Sequence, residues 1–207
     1  NNVILIHIST DYVFSSEPNN LPSPFKETCI TNPKSIYGKS KLNGEMAIIA
    51  SDCSYLILRT SWIFSEFGNN FLKTMIKLGK KTDDIKIVSD QIGCPTYAQD
   101  IANTLIRIID TIDNERKDFV QGIFHFAGKE PTSWFSFANN IFIEARKYAI
   151  NHPNKLIPIK TSEYPTPAPR PLYSVLSSEK IKKYYNIDSP SWKEGVKKSL
   201  KNLSDKS

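Results

Sequence analysis

The sequence predicts an α/β fold built on a doubly wound parallel sheet, and three observations carry that prediction. Short β-branched runs alternate with stretches of helical length, the pattern of strands joined by crossover helices. The first of the runs ends abruptly in polar residues, at Ser9-Thr10-Asp11, where an open parallel sheet places its ligand crevice. The 207 residues are 40% apolar and 23% charged, a composition that fills a core and excludes a wholly disordered chain.

Taken in order, Val3-Ile4-Leu5-Ile6-His7-Ile8-Ser9 reads as a strand buried on both faces. Residues 15–32 hold Pro18, Pro22 and Pro24 and read as a loop. Asn32-Pro33 predicts a helix start, with Asn as cap and Pro in the first turn; the helix runs through Tyr37, Lys41, Glu45 and Ile49 to Ser51. Tyr55 to Thr60 is a second buried strand, followed by an amphipathic helix from Asn69 to Lys81 and a strand at 85–88. A loop at 90–97 feeds a helix over 98–112, and Gly122 to Gly128 reads as a further strand. Ser133 caps a helix from Trp134 to Tyr148, and Leu156 to Lys160 is a strand. Pro165, Pro167, Pro169 and Pro171 impose an extended segment before two closing helices, at 177–185 and 190–203.

Composition narrows the function. No stretch approaches the roughly 20 apolar residues of a membrane span, and no basic residue precedes the first apolar run, as a signal peptide requires. Cys29, Cys53 and Cys94 are odd in number and widely spaced, so they read as reduced thiols of a cytoplasmic protein. His7, His125 and His152 have no companion ligands, and Glu27, Glu45 and Asp90 form no carboxylate pair, so no metal is assigned. The net charge is +6, with lysines late in the chain at 180, 182, 183, 193, 197, 198, 201 and 206. Without an aromatic-interleaved basic stripe this is a solvated face, not a nucleic-acid site, and it suits a small anionic substrate.

The candidate chemistry begins at Tyr37-Gly38-Lys39-Ser40-Lys41. Residues i and i+4 share a helix face, and an ammonium beside a phenol favours phenolate, so the pair can move a proton to or from a carbonyl oxygen. Chance alone supplies about one Tyr-x-x-x-Lys in a chain of this composition, so context has to carry the assignment. That context is Thr10, whose hydroxyl at a strand's carboxyl end can bond a substrate oxygen, although Asp11 there can equally be turn chemistry.

The ordered segments Ser9-Thr10-Asp11-Tyr12-Val13-Phe14, Asn32-Pro33, Tyr37-Gly38-Lys39-Ser40-Lys41-Leu42 and Arg59-Thr60-Ser61-Trp62 resemble the extended short-chain dehydrogenase/reductase superfamily. Within it, Gly68-Asn69-Asn70-Phe71, Asp90 to Tyr97, Thr132-Ser133-Trp134 and Tyr164 to Pro171 resemble the dTDP-4-dehydrorhamnose reductases. The resemblance implies NADPH- or NADH-dependent reduction of the C4 ketone of a dTDP-4-dehydro-6-deoxy-L-hexose to dTDP-L-rhamnose, and a nucleotide-sugar substrate. It implies that Tyr37 donates the proton, that Lys41 holds the nicotinamide ribose together with Tyr37, and that Thr10 bonds the ketone or the phenol. It places Thr10, Asp11 and Trp62 on the sugar, with core packing the alternative for Trp62. Asn69 and Asn70 would bind the diphosphate or cap a helix, and Tyr97 and Arg170 would reach thymidine or phosphate.

The resemblance also implies a Rossmann-like domain whose remainder spans 1–68 and carries the reactive residues. Residues 69–207 would be mostly a small mixed substrate-binding region, with helix 98–112 and strand 122–128 returning to the Rossmann-like core. The chain has 8 Gly and no G-x-G-x-x-G, so the expectation is that the N-terminal cofactor half is missing. The exposed edge would then seek that half or a second copy in a homodimer. The competing expectations are a non-catalytic subunit resembling the regulator of methionine adenosyltransferase, and another nucleotide-sugar reductase or epimerase.

Overall fold

The computed structural model describes residues 3–15, 23–114, 119–150 and 152–205; Pro18, Pro22 and Lys206, singled out above, lie outside these. The chain enters β1 (Ile4–Thr10), makes a short 3-10 turn (Asp11–Val13) and forms α1 (Ile36–Ile49). There follow β2 (Ser54–Thr60), β3 (Ile63–Phe64), α2 (Phe71–Gly79), β4 (Asp84–Val88), β5 (Ile92–Gly93), β6 (Thr96–Tyr97) and α3 (Ala98–Asn114). The later elements are β7 (Gly122–His125), β8 (Thr132–Ser133), α4 (Trp134–Arg146), β9 (Lys155–Ile159), α5 (Glu179–Tyr185) and α6 (Trp192–Ser204).

The central sheet is parallel, in the order β1-β2-β7, with Thr10 opposite Thr60 and Arg59 opposite His125. Alternate residues point to opposite faces. Ile4, Ile6, Ile8, Leu56, Leu58 and Phe124 meet Ile101 and Ile108 of α3 and Ile181 and Tyr185 of α5 in one apolar layer. The opposite face lies under α1, so helices cover both sides as a doubly wound fold requires. That second face departs from the expectation of a strand apolar on both sides. His7, Ser9, Arg59 and His125 point there, and they are held by polar partners instead of hydrocarbon.

A second apolar cluster joins α2, α4 and α6 around the buried Phe137, Ile141 and Leu200, with β4 and β9 paired in parallel at its side. β5 and β6 fall within the loop expected over 90–97 and pair with β8 and β3, for which no strand is expected; two residues each are too few to show a periodicity. The strand expected over 122–128 ends at His125, and the helix expected over 98–112 runs on to Asn114. Cys29, Cys53 and Cys94 are free. Among the described residues no helix is long and apolar enough to cross a membrane.

Candidate active site

The helix that carries Tyr37 starts at Ser35, not at Asn32. The Ser35 hydroxyl accepts from the Gly38 N–H at 3.0 Å and caps the first turn. Asn32 is taken up elsewhere: its N–H donates to the Val13 carbonyl at 2.9 Å and pins the segment to the end of β1. Gly38 then decides how close α1 comes. A Cβ there would lie 2.3 Å from the Tyr12 carbonyl oxygen, so only glycine lets the helix rest on the turn that follows Thr10. The approach sets the Tyr37 ring edge-on to Tyr12, with centroids 5.9 Å apart.

Thr10, Asp11, Tyr37, Thr60, Trp62 and Arg170 line one cleft of about 450 Å³. Five of these were expected from the sequence and Thr60 was not, although it stands opposite Thr10 at the same sheet end. The Thr10 hydroxyl donates to Asp11 Oδ1 at 3.1 Å and accepts from the Tyr12 N–H at 3.2 Å. Asp11 is only 2% exposed. Burial pushes its carboxyl up to about 7, against the opposing pull of hydrogen bonds from Ser174 and Thr10. Asp11 Oδ2 and Thr60 Oγ1 are buried without a hydrogen-bond partner among the described residues. Both residues line the cleft, and neither atom is paired within the described protein.

Trp62 has φ +45°, a left-handed conformation that a bulky side chain occupies only under constraint. Its ring stacks on Trp134 at 3.5 Å and 6°. A second cavity, of about 280 Å³, shares Trp134 and Arg170 with the first and is lined by the α2 face and by Ile85 to Val88 of β4.

Four expected residues, Lys41, Asn69, Asn70 and Tyr97, lie elsewhere. The Lys41 ammonium, expected to share Tyr37's space, donates to the Ile8 carbonyl at 2.6 Å and sits 3.3 Å from His7 Nε2. The helix spacing sets only where its Cα stands, and the carbonyl of β1 draws the flexible side chain to the sheet. Asn70 caps α2 through the Lys73 N–H and donates to the Ser65 and Phe67 carbonyls; neither Asn69 nor Asn70 lines a cavity described above. Tyr97 turns inward, its hydroxyl donating to Glu66 at 3.1 Å, and burial with that carboxylate beside it pushes the phenol up to about 12.

Behind the cleft is a buried ion pair that sequence reasoning missed. Arg59 of β2 grips both oxygens of Glu45 of α1, its closest contact 2.6 Å, with both side chains almost fully buried. Ser9 donates to the same carboxylate. An arginine inside an apolar strand was the available signal, since such a charge is buried only with a partner. His125, fully buried, is held neutral: desolvation and the Arg59 charge lower it to about 3. Among the described residues no group of three or more His, Cys, Asp or Glu is arranged to hold a metal ion.

Known proteins resemble this chain over nearly all of its length. The family model described as RmlD substrate binding domain matches residues 1–205. The dTDP-4-dehydrorhamnose reductase of Escherichia coli strain K12 is 40% identical over 96% of this chain, and that of Sinorhizobium fredii 38% over 95%. The chain spans 65% of the length of each. A crystal structure of the Bacillus anthracis dTDP-4-dehydrorhamnose reductase in complex with NADP superposes with a TM-score of 0.84 at 35% identity, covering 96% of this chain and 65% of that one. Sequence, fold and family model coincide from one end of these residues to the other, and the chain belongs to the family of the RmlD substrate binding domain.

Proposed function

We propose that the protein reduces the C4 ketone of dTDP-6-deoxy-L-lyxo-4-hexulose to dTDP-L-rhamnose with NAD(P)H. The observation that carries this reading is the convergence of Thr10, Tyr37, Trp62 and Arg170, from four separated stretches of chain, on one cleft. A bound reduced nicotinamide supplies the hydride to the ketone carbon. The remaining tasks fall to this chain's own groups. The exposed Tyr37 hydroxyl gives its proton to the ketone oxygen as that oxygen gains charge, leaving the C4 alcohol. The Thr10 hydroxyl, a rotor already engaged with Asp11, turns one hydrogen bond to the same oxygen.

The residues present fit the nicotinamide end of the dinucleotide. Tyr37 stands at the rim, and the Lys41 ammonium has three protons, of which the Ile8 carbonyl takes one, so it can also hold a ribose hydroxyl. NADP in the Bacillus anthracis relative favours NADPH over NADH. Asp11 Oδ2 and Thr60 Oγ1 are suited to sugar hydroxyls, and the Trp62 ring to the sugar face. Arg170, where the two cavities meet, suits the diphosphate, and the apolar second cavity suits the thymidine. The division into a Rossmann-like remainder over 1–68 and a substrate-binding region over 69–207 belongs to the same reading.

The test is turnover by the full-length protein. Loss of NADPH absorbance with the keto-sugar nucleotide supports the assignment. Tyr37→Phe should lower kcat by about 100-fold or more, the scale of a lost general acid. Near-wild-type turnover by that variant overturns the mechanism.

A further inference from the structure

The left-handed backbone of Trp62 has to be held by its surroundings, and two neighbours hold it. On the ring's face lies Trp134, stacked at 3.5 Å. Over the indole's Cε2, Nε1 and Cζ2 atoms lies Gly93, where a Cβ would come within 2.5 Å of the ring. The antiparallel pairing of β5 with β8 delivers both: Gly93 sits opposite Thr132, two residues ahead of Trp134. The Trp62 carbonyl is fastened as well, accepting from the Thr96 N–H at 3.2 Å.

Trp134 is itself immobilised. Its ring lies 4.5 Å from Phe71, which stacks at 5.3 Å on the fully buried Phe137, which in turn meets the buried Trp192 at 5.4 Å. An unbroken file of aromatic rings therefore runs from the apolar core of α2, α4 and α6 to the cleft. Trp134, like Arg170, also lines both cavities.

We propose that Trp134 is a positioning residue for the sugar end of the site: with Gly93 packed against the same indole, it holds Trp62 in its left-handed conformation and so sets how tightly the sugar is gripped. The role rests on the reading of the cleft given above. It acts on binding, not on the proton or hydride, so the loss belongs in KM.

The experiment uses the full-length protein with Trp134→Ala, Gly93→Ala and Trp134→Phe. Two readouts are taken: the exciton couplet of the stacked indoles in far-UV circular dichroism, and KM with kcat for the keto-sugar nucleotide. Gly93→Ala, which displaces Trp62 while keeping both indoles, is expected to weaken the couplet, whereas Trp134→Ala abolishes it by removing one of the two rings. Both should raise KM roughly fivefold to tenfold, the scale of one lost aromatic contact, with kcat changed by less than about twofold. Trp134→Phe, which keeps a flat ring against Trp62, should recover most of the affinity. A wild-type KM in Trp134→Ala, or in a Gly93→Ala variant whose couplet is weakened, overturns the role while leaving the function intact. A wild-type protein that leaves the sugar nucleotide untouched overturns the function itself, and this role with it.

Discussion

The two faces that α1 and α4 cover are built on opposite principles. Under α1 the sheet is polar: Glu45, Arg59, Ser9 and His125 are buried together and joined by directed bonds. Around α4 the interior is hydrocarbon, with Phe137 in ring contact with Phe64, Phe71, Trp134 and Trp192. Hydrophobic burial is non-directional and supplies stability, whereas charge-assisted hydrogen bonds fix relative placement. The polar layer sits where placement matters. It ties the helix of Tyr37 to the strand end of Thr10, through Ser9, the residue next to Thr10.

The largest expected effects separate those roles. Glu45→Ala should cost about 3–5 kcal/mol in urea unfolding, because it leaves the Arg59 charge buried and unpaired. Phe137→Ala should cost a similar 3–5 kcal/mol through the cavity it opens. The two differ in what restores them. Replacing the pair together, Glu45→Leu with Arg59→Met, should return most of the stability, since apolar substitutes for a buried ion pair are often neutral. Turnover should stay depressed, because Ser9 loses its acceptor and nothing then sets α1 against β1. Full recovery of both would make the polar layer a matter of stability alone.

A smaller effect tests Asp11, where burial works against charge. The folded carboxyl is raised to about 7 from an ordinary 3.8, so between those values the folded chain keeps a proton the unfolded chain has released. Its contribution is full below about pH 4 and is lost as pH rises through 7. Asp11→Asn removes that dependence, so the variant should gain on wild type steadily from pH 4 to 8 in denaturant titrations. A constant difference across that range would show that Asp11 is not proton-linked to folding. Smallest, Ser35→Ala should cost about 1 kcal/mol in the same measurement by removing the cap of α1. If Asn32→Ala costs as much, the helix begins earlier than the hydroxyl of Ser35 implies.

The sequence was most informative where one signal repeats. β1, β2 and β4 announce themselves as β-branched runs, and α2 and α4 as periodic apolar faces with Asn70 and Ser133 as caps. The cleft residues Thr10, Asp11, Tyr37, Trp62 and Arg170 were found as members of ordered motifs. Asn-Pro suits a helix start in isolation, but the cap is Ser35, and only the contact with Val13 shows how the Asn32 segment is used. The direction of the Lys41 ammonium, toward the Ile8 carbonyl, is not legible in the sequence, because spacing sets Cα positions and leaves four side-chain torsions free.

Alternation, capping and motif order thus suffice to establish a parallel α/β chain with a polar strand end facing a tyrosine-bearing helix. These are properties of neighbours along the backbone, and the local chain enforces them. Tertiary packing alone decided that Glu45 would meet Arg59, that Gly38 would admit the Tyr12 carbonyl, and that Trp134 and Gly93 would hold Trp62 in place. Each of those contacts joins residues distant in sequence, and its energy exists only once the intervening chain has folded.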